Sequence, residues 1–362
     1  MIGVRYKNNK EGSGVISFRI NQPGVKAALC ACLLTMIVVA LGAFTRLVDA
    51  GLGCPDWPGC YGQAMWPTTE AEIATANSEF VDAAPVDTDK TWPEMVHRYF
   101  ASGLGLVVIG LLLMARRLNL RPKKLPVLLL ALVILQGLFG MWTVTLKLWP
   151  QVVTTHLLGG FTTLALLWLL ALRLARHHEV KSEKLIASST LKKLRTCAGL
   201  GLVVVFLQIA LGGWTTSNYA ALACVDFPTC HQQWIPETDF KQGFDLTQEV
   251  GPNYLGGLMD NRARTAIHIS HRLGALLVTL LLSVLVIMLW RCRELGVTAR
   301  RLAIGVAGLL VIQIGLGISN VVFALPLFVA VAHNGVGALL LLSMVTVNYY
   351  LHSHSRLLSN VT

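Results

Sequence analysis

A chain of 362 residues with 54% hydrophobic content, only 14% charged residues and a mean hydropathy of +0.61 is too apolar for a water-soluble fold. The formal net charge of +11 does not mark a nucleic-acid binder, because lysine and arginine concentrate in short connections between apolar runs. The expectation is an all-α polytopic membrane protein with no nucleic-acid partner and lipid as its solvent.

In chain order, residues 1–25 form a polar leader carrying Arg5, Lys7, Lys10 and Arg19, which reads as a cytoplasmic tail. The apolar run behind it is too long for a signal peptide and lacks a small-residue cleavage site, so it reads as a retained first span. Runs of spanning length are predicted at 26–47, 94–115, 125–146, 151–174, 194–215, 265–289, 302–323 and 326–350, eight helices in all. An even number returns both termini to one side.

Arg116, Arg117, Arg121, Lys123 and Lys124 flank one short connection, and Arg173, Arg176, Lys181, Lys184, Lys192, Lys193 and Arg195 the next. Arg291, Arg293, Arg300 and Arg301 flank the third, so these three connections and both termini are assigned to the cytoplasm. The long connections, 48–93 and 216–264, then face outward, with Trp57, Trp66, Trp92 and Trp234 available to the outer interface. This is the plan of a multi-pass membrane protein.

An internal repeat organises the chain. Leu41-Gly42-Ala43-Phe44-Thr45 recurs as Leu211-Gly212-Gly213-Trp214-Thr215, and the Cys54 to Cys60 segment recurs as Cys224 to Cys230, both displaced by 170 positions. His97-Arg98 corresponds to His271-Arg272, and Gln136, Gly140 and His156 to Gln313, Gly317 and His333. The expected organisation is two tandem pseudo-symmetric four-helix bundles, 26–175 and 194–352, joined by a cytoplasmic linker at 176–193. Gly42, Gly140, Gly212 and Gly317 near the ends of the odd-numbered helices serve either close helix packing or room for a flat cofactor.

His97, His156, His271 and His333 each begin an even-numbered helix, so all four lie at similar depth toward the outer side. Four imidazoles at matching positions of a duplicated unit point to cofactor ligation, in the pairs His97 with His156 and His271 with His333. Two facing imidazoles without a third or fourth ligand suit the axial positions of a haem iron better than structural zinc. Arg98 and Arg272 are candidates for haem propionates, with interfacial snorkelling as the competing role.

The halves differ at one chemically pointed position: Glu94, one turn before His97, aligns with His268. A carboxylate there suits bond-making chemistry in the first half, or else simply favours a helix N-terminus. Of the eight cysteines, Cys54, Cys60, Cys224 and Cys230 fall in the long connections, and each pair is close enough for a local disulfide, as a staple or as a redox-active pair.

The duplicated four-helix plan, the four histidines, the Glu94 to Arg98 segment and the loop cysteines together resemble the haem A synthase family, over nearly the whole span from Lys26 to Tyr350. The resemblance implies haem O as substrate on His97 and His156, haem b as cofactor on His271 and His333, and Glu94 as the catalytic carboxylate. It implies oxidation of the ring-D methyl of haem O to a formyl group with water-derived oxygen, in a bacterial cytoplasmic (inner) membrane. Haem O synthase as supplier, cytochrome oxidase assembly factors as partners and a homo-oligomer are compatible with it. Two other functions account for part of the pattern: a dihaem b-type electron-transfer protein needs the histidines but not Glu94, and a membrane thiol oxidoreductase needs the cysteines but not the histidines. A non-catalytic haem carrier is a further alternative.

Overall fold

The computed structural model describes residues 21–120, 122–175 and 188–358. The basic tail and most of the 176–193 linker, with Arg121, Arg176, Lys181 and Lys184, lie outside the described residues. Among the described residues the fold is all helical, and eight helices are long and apolar enough to cross a membrane. They are α1 (Val25–Leu47), α3 (Thr88–Arg117), α4 (Lys124–Thr145), α5 (Pro150–Ala175), α6 (Ser188–Ser217), α8 (Asn261–Arg291), α9 (Gly296–Val322) and α10 (Leu327–Leu358). Each closes its own backbone hydrogen bonds, which is the condition for a lipid-embedded segment. Leu33, Leu106 and Val311 point outward, an arrangement that lipid tolerates and water does not.

The helix starts are sharper than hydropathy alone suggests. The Asp87 carboxylate accepts the Asp89 N–H and begins α3 six residues before Glu94, and Asp260 caps α8 through the Ala263 N–H at 3.0 Å. Polar residues therefore extend both helices beyond their apolar cores. Glu94 lies inside α3, so a role at the helix N-terminus falls to Asp87 instead.

Helix α1 packs on α3 and α5, and α4 packs between α3 and α5, closing one group of four. Helices α6, α8, α9 and α10 close a second group in the same order of contacts. The groups meet where α5 packs on α6 and α10, and where α1 packs on α10. A continuous apolar core crosses this seam, running from Leu164 and Leu167 to Leu282 and Leu341. Polar ties cross the seam as well, among them Trp168 Nε1 donating to Thr346 Oγ1 at 2.8 Å, the Thr154 and Ser217 hydroxyls 2.9 Å apart, and Arg46 donating to the Thr216 carbonyl at 2.8 Å.

Both long connections lie at the same end of the bundle. The first folds over α2 (Glu70–Glu79), started by a reciprocal capping box between Thr69 and Glu72. The second contains the single turn α7 (Phe240–Gly243). Disulfides join Cys54 to Cys60 and Cys224 to Cys230, and matching backbone bridges pair Cys60 with Gln63 and Cys230 with Gln233.

Candidate functional site

The four histidines occupy the tenth residue of α3, the seventh of α5, the eleventh of α8 and the seventh of α10, beneath the long connections. Each ring rests on a glycine of the preceding spanning helix. A Cβ at Gly42 would come within 2.9 Å of the His97 ring, at Gly140 within 3.5 Å of His156, at Gly212 within 3.3 Å of His271, and at Gly317 within 3.1 Å of His333. The glycines thus make room for imidazoles, a use distinct from helix-to-helix packing.

Gly42→Ala is accordingly expected to displace His97 and to destabilise the fold by about 1–3 kcal/mol. Gly103→Ala in α3, where no atom lies within 4 Å, serves as its control and should be neutral or stabilising. Thermal melting of the two variants checks this, and equal stability would remove the steric role of Gly42.

His97 and His156 face one another across the first group, with ring centroids 6.5 Å apart and planes perpendicular. Nδ1 of both rings is buried without a hydrogen-bond partner. At this separation both imidazoles can reach one metal atom at about 2 Å from each ligating nitrogen. In the second group, Gln208 Nε2 lies 3.1 Å from His271 Nδ1 and donates to the His271 carbonyl at 2.9 Å. Gln313 Nε2 lies 3.3 Å from His333 Nε2, and His333 Nδ1 is unpartnered.

Gln208 is the residue the sequence pattern should have exposed. Gln136, Gln208 and Gln313 each precede a histidine-seating glycine by four positions, whereas Val38 takes that place before Gly42. The first group therefore differs from the second at Val38 as well as at Glu94.

Glu94 is only 5% exposed, and both its oxygens are engaged. Oε2 accepts the Cys54 N–H at 2.9 Å, while Oε1 pairs with Arg98. Arg98 also donates from Nη1 to the carbonyls of Asp56 at 3.0 Å and Gly59 at 2.6 Å. The carboxylate is thereby tied to the Cys54–Cys60 disulfide loop.

The second group uses different chemistry for the same attachment. His268 Nδ1 lies 2.9 Å from the Ala220 carbonyl, and Arg272 donates to the carbonyls of Asp226 and Thr229, each at 2.8 Å. Arg272 Nε is buried without a partner. The Asp226 carboxyl is held down to about 2 by the Thr229 hydroxyl and by the N–H groups of Gln232 and His231, which keeps this loop's acceptor ionised.

This arrangement falls entirely within a segment shared with known proteins. Residues 26–345 match the family model described as cytochrome oxidase assembly protein. The chain belongs to that family. It is 45% identical over 328 residues to a protein of Shewanella oneidensis named haem A synthase, covering 90% of this chain and 96% of that one. Proteins of the same name from Chelativorans sp. and Rickettsia prowazekii are 29% identical over 338 residues and 25% identical over 342, the latter match covering 90% of this chain. The family match contains all four histidines, Glu94 and both disulfide loops.

Proposed function

We propose that the protein is a haem A synthase: an oxidoreductase that converts the ring-D methyl of haem O to a formyl group. The observation that carries this reading is the facing pair His97 and His156 with Glu94 one turn away on α3, in a chain of this family. A dihaem electron carrier has no use for a buried carboxylate in one group only, and a thiol oxidoreductase leaves four seated imidazoles without work.

The residues divide the task by group. His97 and His156 would hold haem O, Glu94 would be the carboxylate that serves the reacting group, and His271 and His333 would hold haem b. Haem b, when bound, would supply one-electron redox chemistry. Conversion of methyl to formyl with one oxygen from water releases four protons and four electrons per substrate, and the electrons must leave to an external electron acceptor. A carboxylate held by Arg98 and the Cys54 N–H is fixed in place and would stabilise positive charge that develops as the methyl loses electrons. Arg98 and Arg272 bridge the loops and the sites, and the free Arg272 Nε is the donor we assign to a haem propionate.

We read the two groups, 26–175 and 194–352, as products of one duplication. Arg46 donates to the Thr216 carbonyl at 2.8 Å and Tyr219 donates to Asp49 at 2.9 Å, each across 170 positions, the displacement of the repeat itself. Residues that touch their own counterparts lie near the axis of a two-fold arrangement, which supports this reading. We place the protein in the inner membrane with both termini in the cytoplasm, the haem sites and disulfides outward, and haem O synthase as the supplier of substrate.

The test is expression of the protein together with a source of haem O, followed by extraction and mass spectrometry. Accumulation of haem A is expected. Haem O alone, in a folded and haem-loaded protein, would overturn the reading.

The disulfides add a second expectation. Because only the first loop touches Glu94, Cys54→Ser with Cys60→Ser should lower turnover by about tenfold at unchanged haem content. Cys224→Ser with Cys230→Ser should act less. Turnover per bound haem distinguishes the pairs, and equal rates in both would reduce the first disulfide to a staple.

A further inference from the structure

A cavity of about 790 Å³ lies between α5 of the first group and α6 and α10 of the second, in the half of the bundle away from the long loops. It belongs to no part of the histidine sites. Its polarity is sorted along its length. The inner end is walled by apolar side chains such as Leu166, Phe206, Leu207 and Leu341, and the outer end by Arg173, Asn348, Tyr349 and His352. From Leu341 to His352 the wall runs about 16 Å along α10, about half the thickness of a bilayer's hydrocarbon core.

Two features define the occupant. Among the described residues no carboxylate pairs with Arg173 and no Asp or Glu lines the cavity, so the described part of its mouth is basic. The second is the apolar slot itself, which is shaped to admit a hydrocarbon chain. A basic mouth between spanning helices above an apolar slot of one-leaflet length matches an anionic phospholipid.

We infer that this cavity binds one anionic glycerophospholipid, its phosphate on Arg173 and an acyl chain between the two four-helix groups. The lipid then joins α5 to α6 and α10. A quinone is a poorer fit, because a ring seated at Tyr349 would lie about 24 Å along α10 from His333. An isoprenoid chain is neutral and leaves Arg173 unmatched. The inference is independent of the haem reading.

The full chain, delipidated in mild detergent, is titrated with dioleoylphosphatidylglycerol or dioleoylphosphatidylcholine and followed by native mass spectrometry and thermal melting. One phosphatidylglycerol is expected to bind per chain and to raise the melting temperature, with phosphatidylcholine weaker. Arg173→Gln, at an exposed position that should not disturb folding, should weaken phosphatidylglycerol about fivefold and abolish the preference. Leu166→Trp, which fills the slot, should block binding while the protein still melts cooperatively. Equal affinity for both lipids in parent and Arg173→Gln, unimpaired binding in Leu166→Trp, or a quinone as the co-purifying adduct would each overturn the inference.

Discussion

Glu94→Gln is expected to keep both haem sites loaded and to lower conversion of haem O by about 100-fold or more. Glutamine keeps the shape of the side chain and an oxygen for the Cys54 N–H, so the disulfide loop remains attached. What disappears is the negative charge that the proposed function assigns to the reaction. Arg98 then loses its ionic partner in a site where both side chains are nearly covered, at 12% and 6% exposure. Breaking a buried pair from one side costs about 3–5 kcal/mol where nothing else compensates, but the Asp56 and Gly59 carbonyls continue to accept from Arg98 and reduce that cost. Haem content and thermal melting measured beside turnover separate chemistry from stability. Conversion at the parent rate would show that Glu94 only anchors its loop.

The second large effect concerns the division of labour between the groups. On the proposed assignment, His271→Ala should lower the affinity for haem b by more than about 100-fold and remove its low-spin spectrum, because one proposed axial ligand would be lost. His97→Ala should leave that spectrum intact and abolish conversion. The optical spectrum of purified protein, with haem extraction as a check, reads both outcomes. Loss of the haem b spectrum in His97→Ala, with retention in His271→Ala, would reverse the assignment of substrate and cofactor groups.

Much of the site was legible as pattern. The repeat drew attention to all four histidines, to the paired cysteines and to the exchange of Glu94 for His268 before any helix was placed. Arg98 was legible only as a cation near the site. That it engages Glu94 and loop carbonyls at once depends on residues 39 and 42 positions away folding back over α3. Gln208 escaped notice because a glutamine in an apolar run says little until its amide is found against His271, although its spacing to Gly212 repeats that of Gln136 and Gln313. The capping box at Thr69 and Glu72 was a local signal for α2 inside a connection that hydropathy treats as featureless.

The amino-acid sequence by itself determined the eight apolar spans and the residue types carried near their ends. A helix in lipid must satisfy its backbone within its own segment, so its existence is a local property of composition and length. Only the tertiary structure decided which faces meet. It seated each imidazole on a glycine, turned His97 toward His156, and tied Glu94 to the loop above it. Those contacts join residues far apart in the chain, and their geometry follows from packing whole helices against one another, which no single stretch encodes. The cavity between α5, α6 and α10 has the same origin, since its walls come from both groups of helices.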